Sequence, residues 1–215
     1  MAGHTYDRMA PIYEKLADAY SFGCVPRMKR RQLDHIGAGM RVLYAGVGPG
    51  SDALAAADKG ARVTAVDLSE RMIDAVSRRF VEARREADLQ CLDLFVFEPE
   101  ELFDVVVANF LVDCFDDQMR PRIVQRLGGF LRPGGKLLIG DTGLPRGSTL
   151  DRAFWRMYHG IAYSTTYVQG ITPWLPTMDL PAYLRDAGCL VEHQVFDRPW
   201  RGGPVLFESV VGVRL

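Results

Sequence analysis

Apolar positions along the chain follow two spacings, one typical of strands and one typical of helices. Short apolar runs predict strands at residues 41–45, 62–66, 89–93, 104–109 and 136–140. Between them, apolar residues at helical spacing predict helices at 51–59, 70–84 and 119–131, the last ended by a sharp turn at 132–135. Because strands alternate with helices at this rate, we expect an α/β fold. Its centre is a Rossmann-like, doubly wound sheet, mostly parallel, with helices on both faces.

Both ends of the chain depart from this alternation. Residues 6–20 and 24–36 predict two helices before the first strand, and the second is basic through Arg27, Lys29, Arg30 and Arg31. Residues 142–178 are rich in aromatic side chains. A short helix at 181–187 and two β-type runs at 190–196 and 205–213 follow, which predict a final antiparallel strand pair.

Charge and cysteine usage narrow the classes of partner. The formal net charge of −1 provides no field that would draw the whole protein to nucleic acid. No apolar stretch is long enough for a transmembrane helix, and the first fifteen residues lack the apolar core of a signal peptide, so we expect a cytoplasmic protein. The four cysteines show no CxxC spacing, which predicts neither a metal site nor disulfides, with Cys91 and Cys114 as buried thiols.

A glycine-rich loop at 46–50 joins the first strand to its helix. Glycines allow a ligand to lie against the backbone, and a helix that begins at Ser51 points free N–H groups at it, although glycines also serve packing alone. Asp67 ends the second strand, where an acid reaches ribose hydroxyls. Its alternative role is to cap the next helix, which Ser69 fits better. The glycine spacing differs from GxGxxG, which a ligand without phosphates would tolerate, and the absence of a following GKS or GKT excludes a P-loop.

From about residue 40 onward the chain resembles the class I S-adenosylmethionine-dependent methyltransferases. The segments that carry the resemblance are 46–50, Val66-Asp67-Leu68-Ser69 with Met72, Leu92-Asp93-Leu94, 103–109 and 131–137. The resemblance implies S-adenosylmethionine as the cofactor and a reversed last strand. It implies cofactor contacts from Tyr44, Ala45, Gly46, Gly48, Gly50, Asp67, Leu68, Met72, Asp93, Leu94 and Asn109, with Asp93 near the adenine amino group.

The N-terminal residues, from Tyr6 to Tyr13 and at 21–23, are similar to the quinone-ring C-methyltransferases of ubiquinone and menaquinone synthesis. Soluble phosphatidylethanolamine N-methyltransferases share part of this stretch. The resemblance implies that Tyr6 or Tyr13 closes over the cofactor, and helix packing is the alternative role. Tyr44 is a departure, because the family has an acid there that organises the methionyl end, and a phenol brings no charge.

These observations predict one domain over residues 1–215. Its parts are an N-terminal helical cap (1–39), a cofactor-binding core (40–141), an acceptor lid (142–180) and a terminal helix with the antiparallel strand pair (181–215). The aromatic residues from Phe154 to Trp174 suggest a pocket for a small apolar or aromatic acceptor, quinone-like, lipid or secondary metabolite, with ordinary core packing as the alternative. If the acceptor needs a base, the candidates are His159 and Tyr163, spaced i and i+4, and Asp113.

Two other functions stay open at this point. One is a non-catalytic module that binds S-adenosylmethionine, which Tyr44 favours. The other is a nicotinamide-dependent oxidoreductase, which the glycine spacing and the lack of a YxxxK pair disfavour. The expected partner is a small-molecule acceptor and not nucleic acid. The basic helix either meets an anionic group or membrane surface, giving peripheral lipid contact, or is a solvated face. A monomer and a homodimer both remain open.

Overall fold

A seven-stranded sheet organises residues 18–168, 170, 172–174 and 177–215, which are the residues that the computed structural model describes. Its strands are β1 (Arg41–Ala45), β2 (Arg62–Asp67), β3 (Asp88–Cys91), β4 (Phe103–Asn109), β5 (Leu131–Asp141), β6 (Cys189–Asp197) and β7 (Phe207–Arg214). The helices include α1 (Cys24–Gln32), α2 (Ser51–Asp58), α3 (Glu70–Glu82), α4 (Met119–Gly129), α5 (Thr149–Val168) and α6 (Leu180–Asp186). The predicted alternation of strands and helices is confirmed.

The strands lie in the order β3-β2-β1-β4-β5-β7-β6. Strands β1 to β5 pair in parallel, while β7 runs antiparallel to both β5 and β6. The predicted doubly wound sheet with a reversed last strand is therefore confirmed. The order changes direction between β1 and β4, and in such sheets ligands bind beside the carboxyl ends of the strands at this switch point.

Both faces of the central strands β1, β4 and β5 are largely buried, as parallel strands with continuous apolar runs require. Leu43 and Val106 point into a core shared with α4 and α6. Val42 and Tyr44 point to the opposite face, where the alanines of α2 and the apolar side of α3 cover the sheet. The strands that carry the candidate site are thus held from both sides.

Some element boundaries differ from the prediction. The basic helix ends at Gln32 and continues as a short 3-10 turn, Leu33–His35. β3 ends at Cys91, so Asp93 lies in the following loop. Residues 132–135 belong to β5: Phe103 pairs with Leu131 and Val105 with Lys136, so the turn-forming residues make a bulge inside the strand. Within the described ranges, no helix is both long and apolar enough to cross a membrane.

Candidate functional site

A cavity of about 460 Å³ lies at the carboxyl ends of the central strands. This volume falls within the range of small-molecule sites. Its walls come from the glycine loop, from the residues that follow β2, β3 and β4, and from one side of α1. Ten of the eleven cofactor-binding residues predicted within the described part of the chain line the cavity: Tyr44, Ala45, Gly46, Gly48, Asp67, Leu68, Met72, Asp93, Leu94 and Asn109. Gly50 does not line it.

The three glycines of the loop have different tasks. Gly46, Gly48 and Gly50 all have positive φ, which favours glycine. A Cβ on Gly46 would come within 2.9 Å of Leu111, and one on Gly50 within 2.7 Å of Val76, so these two allow close packing. A Cβ on Gly48 would meet no atom within 4 Å, and Gly48 lines the cavity. Gly48 therefore leaves space in which a ligand can lie against the loop.

Asp67 holds the glycine loop as well as facing the cavity. Its carboxylate accepts hydrogen bonds from the amide of Gly48 at 2.9 Å and from the amide of Ser69 at 2.9 Å. Ser69 accepts from Met72 N and caps α3, which confirms that this residue has the capping role. The two amides fix the orientation of the Asp67 carboxylate at the end of β2.

Beyond Asp67 the cavity continues towards the end of β3. Asp93 lies in the loop after that strand, and its Oδ1 accepts from Phe95 N at 2.9 Å. Leu68, Met72 and Leu94 supply apolar surface between the two acids. This part of the cavity combines carboxylates at its edge with an apolar interior, which suits a nucleoside.

Tyr44 and Asp52 form the opposite end of the glycine loop. Tyr44 is buried, and its hydroxyl donates to the backbone carbonyl of Asp52 at 3.0 Å. Burial, and then the nearby Asp52 charge, raise the pKa of Tyr44 well above its usual value, so the phenol stays neutral. Tyr44 thus fixes the first turn of α2 while its own charge remains zero.

A polar cluster closes this end of the cavity. Asp52 is 7% exposed and receives Lys29 Nζ at 3.2 Å and Asn109 Nδ2 at 3.2 Å. Asn109 and Gln32 exchange two amide hydrogen bonds of 2.8 Å each. The sequence did not predict Asp52, Lys29 or Gln32 as cofactor contacts, although Lys29 belongs to the basic helix that was expected to meet an anionic group or to be a solvated face. The signal available for Asp52 was its place directly after the glycine loop, in the first turn of a helix.

The basic helix α1 is divided between two roles. Arg27 and Arg31 pair with the buried carboxylate of Asp197 at the end of β6, with Arg27 Nε 3.4 Å from Asp197 Oδ1. Lys29 and Arg30 line the cavity. Arg30 is exposed and has no ion pair with any other described residue. The helix is therefore more than a solvated face.

The structure places the candidate base His159 in the core and not in the cavity wall. It is fully buried, and its Nε2–H donates to the carbonyl of Leu206 at 3.0 Å while Nδ1 accepts from the Tyr20 hydroxyl at 2.6 Å. Burial lowers the pKa of His159 to about 4, although the Leu206 carbonyl opposes this shift. Both ring nitrogens already have partners within the protein.

Tyr163 and Asp113, the other two candidates, bond to each other. Tyr163 Oη donates to Asp113 Oδ2 at 2.6 Å, and Asp113 N donates to Asp141 Oδ2 at 3.2 Å. None of the three candidates, His159, Tyr163 and Asp113, lies in the described cavity wall. Cys114 does line the wall, and its thiol contacts Asp113 Oδ1 at 3.6 Å. His159 and Tyr163 do share one face of α5, as their spacing predicts.

The aromatic residues of α5 do not form the predicted acceptor pocket in the described residues. Trp155 is fully buried beside Phe207, and Phe154 and Tyr158 pack on the same cluster. Tyr158 stacks on Tyr20 with 4.8 Å between ring centroids. The i, i+4 spacing of rings on α5 marks the face that packs on β7, so the alternative of ordinary core packing holds for these side chains.

The apolar wall of the cavity comes instead from the turn after β4. Phe110, Leu111, Cys114 and Phe115 line it, opposite Val25 of α1. Phe110 has φ of 53°, an uncommon conformation for a bulky residue, and its ring packs edge-on against Phe207. The prediction of buried thiols is wrong for Cys91, which is exposed, and for Cys114, which is half-buried at the cavity.

The predicted closure of Tyr6 or Tyr13 over the cofactor stays a prediction, because both tyrosines lie outside the described residues. Among the described side chains, no group of three or more histidine, cysteine or acidic residues has an arrangement suited to a metal ion.

Sequence comparison relates the central part of the chain to known proteins. Residues 42–135 match the family model described as a methyltransferase domain. The chain is 29% identical over 136 residues to the ubiquinone biosynthesis O-methyltransferase of Coxiella burnetii, which covers 63% of this chain and 53% of that protein. The chain thus spans about half the length of this curated relative.

Structure comparison extends the likeness to the whole fold. The 1,6-didemethyltoxoflavin-N1-methyltransferase of Burkholderia thailandensis, with bound 1,6-didemethyltoxoflavin and S-adenosylhomocysteine, matches with a TM-score of 0.70 and 16% identity, covering 100% of this chain and 91% of that one. The cyclase SpnF matches with a TM-score of 0.72 and 17% identity, covering 99% and 94%. At these identities the likeness establishes the fold.

Proposed function

We propose that this chain is a class I S-adenosylmethionine-dependent methyltransferase, which binds S-adenosylmethionine and transfers its methyl group to a small apolar or aromatic acceptor. The observation that carries the proposal is the cavity at the switch point of the sheet. It joins a glycine loop with open backbone at Gly48 to the oriented carboxylate of Asp67.

The residues present fit this cofactor. In this proposal Asp67 accepts hydrogen bonds from the ribose hydroxyls, and Asp93 accepts one from the adenine amino group. Leu68, Met72 and Leu94 supply apolar surface for the adenine ring. The glycine loop has no lysine and is followed by Ser51, as suits a nucleoside without phosphates.

The acceptor side is the wall formed by Phe110, Leu111 and Phe115, opposite Val25. These side chains favour an apolar or aromatic molecule because they offer surface that water hydrates poorly. The toxoflavin precursor bound to the Burkholderia enzyme and the quinone pathway of the Coxiella enzyme support an acceptor of this class.

The cofactor, when bound, supplies an electrophilic methyl group on a sulfonium centre. The protein aligns the acceptor with that methyl group and excludes water. Such positioning can lower the activation barrier by about 7 kcal/mol when the alignment is good. The ring of Phe110 packs edge-on against Phe207, which supports this part of the wall. Among the described residues that line the wall there is no histidine.

His159, Tyr163 and Asp113 act in this proposal as positioning residues. Asp113 contacts Cys114 in the wall, and Tyr163 connects Asp113 to α5. Their contribution is the shape of the acceptor wall. Replacing Tyr163 by Phe should therefore raise the KM of the acceptor more than it lowers kcat, and leave the pH dependence of kcat unchanged.

Isothermal titration of the whole chain with S-adenosylhomocysteine and with NAD tests the cofactor half of the proposal. We expect saturable binding of S-adenosylhomocysteine only. Asp67→Ala should weaken it at least about tenfold, the loss expected for a charge-assisted hydrogen bond. Asp74→Ala is the matched control, because Asp74 is an exposed acid on the neighbouring helix α3. Binding of NAD alone would overturn the proposal.

Product formation tests the transfer half. Phenols, quinols and heterocyclic amines of increasing apolar size are incubated with S-adenosylmethionine, and mass spectrometry follows both S-adenosylhomocysteine and the methylated acceptor. Equal amounts of the two products are expected. Cofactor binding without either product across the panel would favour a non-catalytic module, or another reaction on this fold, as the cyclase neighbour illustrates.

A further inference from the structure

We propose that Asp52 and Lys29 form the subsite for the amino-acid end of the cofactor, and that Asp52 supplies from α2 the carboxylate that β1 lacks at Tyr44. This inference rests on the proposed function, since it assigns residues to a ligand that the chain is proposed to bind. It concerns the zwitterionic α-amino acid group, which carries one ammonium and one carboxylate. A subsite for it needs one charge of each sign within a few ångströms.

The first argument is position along the edge of the sheet. Asp93 follows β3, Asp67 ends β2, and the glycine loop follows β1, so a nucleoside bound by the two acids extends its 5′ substituent towards β1 and β4. Asp52 and Lys29 line the cavity at that end. They are therefore at the place where the amino-acid group arrives.

The second argument is the way Tyr44 and Asp52 share one local structure. Tyr44 lies in β1 and donates its hydroxyl to the carbonyl of Asp52, which orients the first turn of α2. The Asp52 carboxylate then lies near the helix N-terminus, where the backbone dipole favours negative charge. The neutral Tyr44 of β1 thereby positions the negative charge of Asp52, which lies on the next element, α2.

The third argument is charge pairing. Lys29 Nζ is 3.2 Å from Asp52 Oδ1, and the Lys29 side chain is 20% exposed, so the pair is largely removed from water. A buried pair of this kind gains little by itself, because desolvation offsets its Coulomb attraction. A zwitterion laid against it places ammonium beside Asp52 and carboxylate beside Lys29, which gives alternating charges without a net charge to bury.

The neighbouring amides keep the pair in place. Asn109 Nδ2 donates to Asp52 Oδ2, and Gln32 in turn holds Asn109. Asp52 thus has one oxygen directed to Asn109 and one to Lys29. A carboxylate has about four acceptor positions, so further positions remain for an ammonium group.

Three ligands of the intact chain test the assignment by calorimetry. S-adenosylhomocysteine carries the full amino-acid group, its decarboxylated derivative keeps only the amine, and 5′-methylthioadenosine lacks both. We expect Asp52→Asn to weaken the first two at least about tenfold and to leave 5′-methylthioadenosine within about twofold. Lys29→Met should weaken only S-adenosylhomocysteine by a similar factor.

Arg31→Met is the matched control on α1, because Arg31 pairs with Asp197 and does not line the cavity. Any loosening of α1 that it causes should change the three affinities by the same factor, whereas the effects expected of Asp52→Asn and Lys29→Met are selective among the ligands. If Asp52→Asn weakens 5′-methylthioadenosine as much as S-adenosylhomocysteine, Asp52 is structural and the inference is wrong. If wild-type chain binds none of the three, the proposed function fails instead.

Discussion

Tyr163 Oη lies 2.6 Å from Asp113 Oδ2, and this hydrogen bond joins α5 to the turn after β4 inside the protein. Asp113 in turn donates its backbone N–H to the carboxylate of Asp141. Two acids are thus buried side by side, with Arg120 as a nearby cation. This pairing has a consequence for stability that can be measured without any substrate.

As pH rises, the free energy of unfolding of Asp141→Asn should increase relative to that of the wild-type protein. Burial, and then the Asp113 charge, raise the pKa of Asp141 well above its usual value, while burial raises that of Asp113. An acid whose pKa is raised by folding holds a proton that the unfolded chain releases, so its contribution is present in acid and lost from about pH 4 upward. Urea unfolding of both proteins from pH 4 to 8 measures the difference.

The asparagine side chain has one acceptor oxygen where the aspartate carboxylate has two. This difference shifts the free energy of unfolding by an amount that does not depend on pH. The slope of the difference with pH is therefore the quantity to compare. Asp74→Asn, at an exposed position on α3, should show no slope. A flat difference for Asp141→Asn would mean that Asp141 is ionised in the folded protein.

His159→Gln should reduce the loss of stability in mild acid. Burial lowers the pKa of His159 to about 4, from about 6.5 in the unfolded chain. Below about pH 6.5 the unfolded chain binds a proton that the folded chain excludes, so wild type loses about 2 kcal/mol between pH 7 and 5 from this residue. Glutamine can accept from Tyr20 and donate to Leu206 without titrating.

Denaturant unfolding at pH 7 and pH 5 checks this expectation. His193→Gln, at an exposed position on β6, is the control and should keep the wild-type difference between the two pH values. If His159→Gln loses as much free energy of unfolding between pH 7 and pH 5 as wild type does, then His159 takes up its proton in the folded protein.

Gly50→Ala and Gly48→Ala should separate stability from ligand binding. At Gly50, φ is 75° and the added methyl would lie 2.7 Å from Val76, so we expect a loss of about 2 kcal/mol or more in the free energy of unfolding. At Gly48 the backbone cost is about 1 kcal/mol and no atom is close, but the methyl enters the cavity.

Melting temperature and titration with S-adenosylhomocysteine distinguish the two variants. Gly48→Ala should weaken ligand binding more than it lowers stability, and Gly50→Ala the reverse. Adding Val76→Ala to Gly50→Ala should recover part of the stability, because the clash partner is removed. No recovery in the double variant would show that strain at Gly50 is confined to the backbone.

Asp197→Asn should loosen the attachment of α1. Asp197 is 3% exposed and pairs with Arg27 and Arg31, whose side chains are 43% and 35% exposed. Since both cations reach solvent, the expected loss is about 1–2 kcal/mol, below that for a fully buried pair. Arg30→Gln on the same helix should change the free energy of unfolding by less than about 0.5 kcal/mol. If Asp197→Asn and Arg30→Gln lowered the free energy of unfolding equally, then Arg27 and Arg31 would not be the residues of α1 that attach it to β6.

Much of the fold could be predicted because its signals are local. Apolar runs of five or six residues between helical patterns identify parallel strands, and positive-φ glycines with an acid one strand later identify the nucleotide side of the site. Gly48 and Asp67 were found in this way, and their hydrogen bond at 2.9 Å connects the two signals. The reversed strand β7 was expected from the family resemblance.

The remaining features depend on contacts between distant residues. Asp52 meets Lys29 across 23 residues, and no local pattern indicates that a helix residue faces a cavity. The rings at 155, 159 and 163 show a buried face of α5, but their spacing is the same whether that face meets a pocket or a strand. Phe110 contributes to the wall through an unusual φ that its sequence context does not signal.

The reciprocal amide pair between Gln32 and Asn109 also bears on the order of events during folding. These residues are 77 positions apart, and Asn109 ends β4, which lies between β1 and β5. Contacts of such long sequence separation form slowly, because the intervening chain must first be closed into a loop. During synthesis, we therefore expect the polar end of the pocket to assemble only after β4 has left the ribosome, so a ligand that needs it cannot assist the earlier steps.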